Sequence, residues 1–152
     1  MPTTSHFQLL DDQTKAVESG KEYFLKLANP SQENDALSFE LFPILHGTPD
    51  REPPIVTLEF IDGITYLKYN NEFLYITTAR RAREVGLKGD VPKKHERLRL
   101  VTSEEDNTFL ISVWDQNLVG YLEWLKCAYA AFWFGDPHGQ FEVGTKLILS
   151  PV

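Results

Sequence analysis

The chain has 152 residues, of which 42% are hydrophobic and 12% aromatic, and its formal net charge is −7. This length suits one domain with one core, and the apolar content excludes a disordered acidic tail. The negative charge argues against a nucleic-acid partner, because a phosphate-binding face needs a surplus of Lys and Arg.

Period-two alternation of apolar and polar residues runs through the chain and predicts β-strands. The clearest case is residues 55–61, in which Val56, Leu58 and Phe60 share one face. Helix has little support, and the helix-like windows are Thr78–Val85 and Tyr121–Ala131. The candidate strands in chain order are Phe7–Leu10, Glu22–Leu27, Leu37–Phe42, Ile55–Ile61, Ile64–Tyr69, Phe73–Thr77, Arg97–Val101, Phe109–Trp114, Gly120–Leu125, Ala128–Phe134, Gln140–Val143 and Thr145–Leu149.

Turn-forming residues separate these strands. Asp62-Gly63 between two apolar runs predicts a two-residue hairpin, because both central residues of that turn need a positive φ. Further turns are expected at Asn29–Ser31, His46–Asp50, Asn70–Asn71, Gly86–Pro92, Glu105–Asn107 and Gly135–Gly139.

The spacing of strands and turns predicts an all-β fold. Three segments of about fifty residues, starting near Phe7, Ile55 and Asn107, each open on a strand pair and close on a longer loop. We therefore expect a single β-trefoil domain over residues 1–152, with about twelve strands in three pseudo-repeats. An eight-to-ten-strand calycin barrel with an interior cavity and a β-sandwich are the alternatives.

No catalytic motif stands out in the chain. Nucleophile-elbow, P-loop and dinucleotide-binding patterns are missing from the sequence, and its four His residues lack ligand spacing. We interpret Asp136–Gly139 as a turn, Cys127 as a buried thiol and the aromatic residues of 121–134 as core. We accordingly predict a protein that is not an enzyme, with no catalytic residues, no metal and no cofactor.

Cysteine content and hydropathy bear on the compartment. A single Cys excludes an internal disulfide and a Cys-based zinc site. No apolar run is long enough to cross a bilayer, so we expect no membrane insertion. Residues Met1–Gln8 lack the pattern of a signal peptide. We expect a monomer, made in the cytoplasm and, if it acts outside cells, secreted without a conventional signal peptide.

The opening residues resemble those of known β-trefoil families. Residues 9–17, Leu-Leu-Asp-Asp-Gln-Thr-Lys-Ala-Val, followed by Tyr23–Lys26, look like the first hairpin of the interleukin-1 cytokine family. Pro92-Lys93-Lys94 resembles that family's basic loop. The same opening also resembles the start of plant Kunitz-type trefoil inhibitors, in its Leu-x-Asp spacing and in Gly20 and Tyr23.

The interleukin-1 resemblance implies a cytokine-like ligand that binds an immunoglobulin-type cell-surface receptor through loops on one side of the barrel. Under this hypothesis the receptor-binding residues are Gln13, Thr14, Lys15, Lys93 and Lys94. The basic residues among them lie on an acidic chain and suit an acidic protein partner. The alternative function is that of a β-trefoil lectin or protease inhibitor.

Overall fold

The computed structural model describes residues 9–30, 36–39, 44–48, 52–78, 83–102, 107–113, 122–124, 132–134 and 144–152. These ranges contain β-strands and one 3-10 turn, Lys94–Glu96, which confirms the predicted all-β class. No helix within them is long and apolar enough to cross a membrane. The strands are β1 (Glu22–Leu27), β2 (Ala36–Ser38), β3 (His46–Thr48), β4 (Ile55–Ile61), β5 (Ile64–Tyr69), β6 (Glu72–Thr77), β7 (Glu84–Lys88), β8 (Leu98–Thr102), β9 (Phe109–Val113), β10 (Leu122–Trp124), β11 (Phe132–Phe134) and β12 (Leu147–Pro151).

Eight of these strands form one large antiparallel sheet. Its order is β7-β6-β5-β4-β1-β12-β9-β8, and the other four strands form the hairpins β2–β3 and β10–β11. Both separate hairpins are hydrogen-bonded to the start of β7 or to the residue before it. The amide of Leu45 donates to the carbonyl of Val85 at 2.8 Å, and the amide of Phe134 donates to the carbonyl of Arg83 at 2.8 Å. The hairpins β2–β3, β6–β7 and β10–β11 therefore meet around the start of β7.

Tight turns connect β4 to β5 and β5 to β6. Asp62 and Gly63 have φ values of 50° and 78°, and Asn70 and Asn71 have φ values of 51° and 65°. Positive φ at both central residues twists the chain in the same sense as the paired strands. The predicted hairpin at Asp62-Gly63 is therefore confirmed, and so is the predicted turn at Asn70–Asn71.

Parts of two segments that were predicted as turn or helix are strands in the structure. Residues 46–50 were expected to turn, but His46–Thr48 pairs with Ala36–Ser38 as β3. Residues 78–85 offered a helix-like window and 86–92 a turn, but Glu84–Lys88 pairs with β6 as β7. In both places the pairing to a neighbouring strand overrides the local preference of Gly, Pro and charged residues.

Alternation along the strands builds one core. Val56 and Leu58 of β4 are buried, as are Tyr23 and Leu25 of β1, whereas Phe60 is 50% exposed and departs from the expected pattern. The Tyr23 hydroxyl accepts a hydrogen bond from the amide of Glu18 at 2.9 Å, so its polar atom is satisfied. Burying a side chain of this size contributes about 2 kcal/mol.

Several predicted elements lie outside the described residues. They are the strand at 140–143, the turns at 135–139 and 105–106, and parts of longer elements: residues 7–8, 40–42, 114, 120–121, 125 and 128–131 of predicted strands, residues 31 and 49–50 of predicted turns, and residues 79–82, 121 and 125–131 of the helix-like windows.

Candidate protein-binding loops

The first candidate loop is the turn Asp11–Ala16, called here the Asp11 turn. One carboxylate oxygen of Asp11, Oδ1, accepts hydrogen bonds from the amides of Gln13 at 2.8 Å and Lys15 at 3.0 Å. The Asp11 amide donates to the carbonyl of Lys15 at 2.8 Å, and Thr14 has a positive φ of 64°. Asp11 is itself buried, at 1% exposure. The carboxylate therefore holds the turn together from inside while Gln13, Thr14 and Lys15 face solvent.

The Asp11 turn is fixed to the sheet at two points. The amide of Asp12 donates to the carbonyl of Leu149 in β12 at 2.8 Å. The side-chain amide of Asn107 donates to the Thr14 hydroxyl oxygen at 3.1 Å. The Asp11 turn therefore lies beside Asn107, two residues before the start of β9.

The second candidate loop leaves β7 at Lys88 and enters β8 after Arg97, and we call Lys88–Arg97 the clamped loop. The Lys88 ammonium lies 2.8 Å from Oε1 of Glu96. The same oxygen accepts the Lys93 amide at 2.9 Å, and the Glu96 amide donates to the Lys93 carbonyl at 2.8 Å. One carboxylate oxygen therefore ties the start of the loop, its middle and its 3-10 turn together.

The clamp alters the titration of both charged partners. The hydrogen bond to Lys88, followed by the one from the Lys93 amide, holds the pKa of Glu96 below its ordinary value of 4.5. The hydrogen bond to Glu96 raises the pKa of Lys88 above its ordinary value of 10.5. The Lys88 ammonium also lies 5.2 Å from the centre of the Tyr75 ring, which attracts a cation through its negative face. The pair is consequently ionised across the whole neutral pH range.

Beyond the clamp, the loop presents one apolar and several basic side chains. Val91 is 47% exposed, and Lys93, Lys94 and His95 are exposed beside it. Pro92 between them is buried and anchors the segment. On a chain with a net charge of −7, this is a local basic surface with an apolar residue at its edge.

The two candidate loops lie at opposite ends of the β8–β9 strand pair. In that antiparallel pair Leu98 lies opposite Val113 and Thr102 lies opposite Phe109. The clamped loop precedes Leu98, whereas the Asp11 turn contacts Asn107 just before Phe109. Four residues of extended chain separate these ends by about 14 Å. The Asp11 turn and the clamped loop are thus set apart along this strand pair, and the contact of Gln13–Lys15 and Lys93–Lys94 with a receptor stays a prediction.

A cleft of about 500 Å³ opens on the surface between the end of β2, the segment before β4 and the end of β5. Phe39, Pro54, Ile55 and Tyr69 provide apolar lining, and Glu52 supplies a carboxylate. The rings of Phe39 and Tyr69 lie with their centres 5.0 Å apart. The cleft was not predicted from the sequence, because its walls come from segments far apart along the chain.

A row of buried polar side chains was also missed. Register places Ser38 opposite His46 and Thr77 opposite Glu84, and the bridge between Ile44 and Gly86 continues the row from β3 to β7. All four side chains are buried. Ser38 and Thr77 were placed in predicted strands, His46 in a predicted turn and Glu84 in a helix-like window, so the sequence did not bring the four together.

The sequence also singled out a possible turn at Asp136–Gly139, a single Cys, four His residues and an aromatic stretch. Asp136–Gly139, Cys127, His6 and His138 lie outside the described residues, and of the aromatic stretch 121–134 the structure describes Phe134 as buried. Across the part of the chain that the structure describes, no group of three His, Cys, Asp or Glu side chains is close enough to hold a metal ion.

Comparison with known proteins finds similarity in structure only. No protein-family model matches the sequence, and no curated protein matches it. The fold matches the water-soluble chlorophyll protein of Brassica oleracea var. Botrytis with chlorophyll b, with a TM-score of 0.69, 11% identity and coverage of 97% of this chain and 99% of that one. It matches trypsin inhibitor 1 of Senna obtusifolia, with a TM-score of 0.68, 10% identity and coverage of 96% and 99%. It also matches alocasin, a protease inhibitor of giant taro (Arum macrorrhizon), with a TM-score of 0.65, 10% identity and coverage of 97% and 100%.

These three structures share the chain's fold from end to end. None of the three is a cytokine, so the interleukin-1 resemblance gains no support from them. Two of them are protease inhibitors, and at 10% identity the likeness concerns the fold.

Proposed function

We propose that this chain is a β-trefoil protein of the Kunitz type that binds and inhibits a protease. The observation that carries the proposal is the likeness of nearly the whole chain to two protease inhibitors, whose own chains are matched over 99% and 100% of their length. The resemblance of Leu9-x-Asp11, Gly20 and Tyr23 to the opening of Kunitz-type inhibitors points the same way.

The strand order supports the trefoil part of the proposal. The twelve strands seen in the described ranges divide into three consecutive groups of four, and the middle two strands of each group form a hairpin: β2–β3, β6–β7 and β10–β11. The first and last strands of the groups stand side by side in the large sheet, in the order β5-β4-β1-β12-β9-β8. A threefold pattern of this kind is what three pseudo-repeats produce, although their sequences have diverged.

The two candidate loops support inhibition by surface contact. A protein inhibitor needs an exposed segment whose conformation is fixed before binding, because ordering a loop during association costs affinity. The Asp11 turn and the clamped loop both have this property, since internal hydrogen bonds to Asp11 and Glu96 hold them.

A protease panel tests the proposal. The purified chain is titrated against serine proteases that cleave after basic, aromatic and small residues, and against a cysteine protease, with residual cleavage of a peptide substrate as the readout. We expect inhibition of at least one enzyme with a one-to-one end point, and no effect of an unrelated acidic protein at equal concentration. If every enzyme keeps full activity, or if the chain is simply degraded, the proposal is wrong.

A second candidate function is the binding of a small apolar molecule, which the cleft beside Phe39 and Tyr69 favours. A protein of the same fold was solved with chlorophyll b, so this fold is compatible with a small-molecule ligand. Displacement of a fluorescent apolar dye by candidate ligands, in the wild type and in Tyr69→Ala, tests it. Equal dye binding by both proteins would exclude the cleft as the site.

The cytokine-type function, with Gln13, Thr14, Lys15, Lys93 and Lys94 facing a receptor, stays a prediction. If a variant that carries both Lys93→Glu and Lys94→Glu signals through the receptor as the wild type does, this result counts against the cytokine-type function.

A further inference from the structure

We infer that the clamped loop, Lys88–Arg97, is the surface that holds the protein partner, and that this partner presents acidic groups around an apolar depression. The inference rests on the proposed inhibitory function and deepens it by naming the contact surface and the chemistry of its partner. It starts from Val91, which is 47% exposed in the middle of a connection whose neighbouring Pro92 is buried. An exposed apolar side chain on a restrained backbone gains free energy when an apolar pocket on a partner buries it, and little ordering is needed beforehand.

The charges around Val91 define the rim of that pocket. Lys93, Lys94 and His95 are exposed, and Lys88 is already paired with Glu96. Asp90 is the exposed acid within the loop. Because the chain as a whole carries a charge of −7, a partner with an acidic rim is repelled by the net charge of the body and attracted by the basic side chains of this loop. The charge distribution thus orients the partner toward Val91.

The clamp makes the loop suited to tight binding. Glu96 holds the Lys88 ammonium and the Lys93 amide through one oxygen, at 2.8 Å and 2.9 Å. The residues between these two points are therefore restrained in the free protein, and little conformational entropy is lost when a partner binds. Neither two-residue hairpin turn, at Asp62–Gly63 or at Asn70–Asn71, offers a connection of comparable length.

The same clamp excludes one mode of contact with a protease. Cleavage after Lys93 would require its carbonyl oxygen to enter the oxyanion-stabilising site of the enzyme. That oxygen accepts the amide of Glu96 at 2.8 Å, and the chain then turns into the 3-10 segment Lys94–Glu96. The bond between Lys93 and Lys94 is consequently turned away from a substrate-like pose. The loop contacts its partner without being cut at Lys93.

Binding kinetics against the protease that the panel identifies test this inference. The contact variants are Lys93→Glu and Val91→Ala, measured on a biosensor at low and physiological salt. The matched controls are Lys15→Glu, which reverses an equally exposed charge on the Asp11 turn, and Phe60→Ala, which shortens an exposed apolar side chain on β4. All four side chains are exposed, and equal melting temperatures will show that each variant folds.

We expect Lys93→Glu to slow association about fivefold at low salt, with a smaller effect at physiological salt. Val91→Ala should speed dissociation about tenfold, because an apolar contact is lost from the pocket. Both controls should bind as the wild type does. Mass spectrometry of the complex should find the Lys93–Lys94 bond intact.

Two further outcomes separate this inference from the proposed function. If inhibition survives both contact variants but is weakened by Lys15→Glu or Phe60→Ala, the assignment to the clamped loop is wrong and the inhibitory function still stands. Cleavage at Lys93 in the complex would have the same consequence. Absence of inhibition by the wild type would overturn the function, and the inference with it.

Discussion

The carboxylate of Glu96 lies 2.8 Å from the ammonium of Lys88, eight residues earlier in the chain, and the pair closes the connection between β7 and β8. The two side chains are 17% and 24% exposed, so the contact lies at the surface but is shielded from part of the solvent. The ion pair fixes the loop. It adds little to the stability of the whole fold, because exposed ion pairs contribute little to global stability.

Glu96→Ala should loosen the clamped loop while the fold remains intact. The change removes the acceptor of the Lys93 amide, and a hydrogen bond of this kind contributes about 1 kcal/mol, so the Lys93 amide should exchange with solvent roughly fivefold faster. Hydrogen exchange followed by NMR measures this. Glu59→Ala, which breaks the 3.2 Å pair with Lys68 on the neighbouring hairpin, is the matched control and should leave Lys93 unaffected. Equal exchange at Lys93 in all three proteins would show that Glu96 does not restrain the loop.

The clamp should also give a defined pH dependence. The pKa of Glu96 is lowered on folding, so its contribution to stability is fully present above the ordinary value of 4.5 and is lost as the pH falls through the folded value. The pKa of Lys88 is raised, so its contribution is fully present below 10.5 and is lost as the pH rises through the folded value. The wild type should therefore exceed Glu96→Gln in urea midpoint between these limits, and the difference should shrink below pH 4.5. A difference that is constant from pH 3 to pH 7 would contradict this.

Gly86 and Gly89 should respond in opposite ways to alanine. A Cβ at Gly86 in β7 would lie 3.0 Å from Cγ2 of Thr77 and 3.1 Å from Cε1 of Tyr75, in a fully buried position. Overpacking of this kind costs about 1–3 kcal/mol, so Gly86→Ala should lower the free energy of unfolding by that amount. Gly89 has open space around its Cα and no positive φ, so Gly89→Ala should be neutral or stabilising by up to about 1 kcal/mol. Urea titration measures both, and equal losses would show that the crowding at Gly86 is unimportant.

Local sequence patterns were sufficient for some strands and misleading for others. The bounds of β1, β4 and β5 agree with the prediction, because their alternation is regular and Asp62-Gly63 marks the turn between the last two. Strands β3 and β7 were missed because His-Gly-Thr-Pro and Gly-Leu-Lys-Gly have the composition of turns. They are extended because β3 pairs with β2 and β7 pairs with β6, and the hydrogen bond from Leu45 to Val85, forty residues apart, links these two hairpins.

The candidate site was also predictable only in part. Lys15, Lys93 and Lys94 are exposed, as charged side chains usually are, and their contact with a partner stays a prediction. Which loops share a face depends on the register of β8 with β9, and the clamp depends on a loop that brings Lys88 back to Glu96. Both are properties of the folded chain that composition and periodicity do not encode.

Asp11 should prove far more important to stability than its neighbour Asp12. Its buried carboxylate accepts the amides of Gln13 and Lys15, so Asp11→Ala leaves two amide donors of the turn without this acceptor and should lower the free energy of unfolding by about 1–3 kcal/mol. Asp12 has an exposed side chain and contacts β12 through its main-chain amide, which alanine retains, so Asp12→Ala should change stability by less than about 0.5 kcal/mol. Thermal and urea unfolding of the two variants measure these changes in the free energy of unfolding. If the two losses are equal, the Asp11 turn is held by its contacts with Leu149 and Asn107 and the buried carboxylate is dispensable.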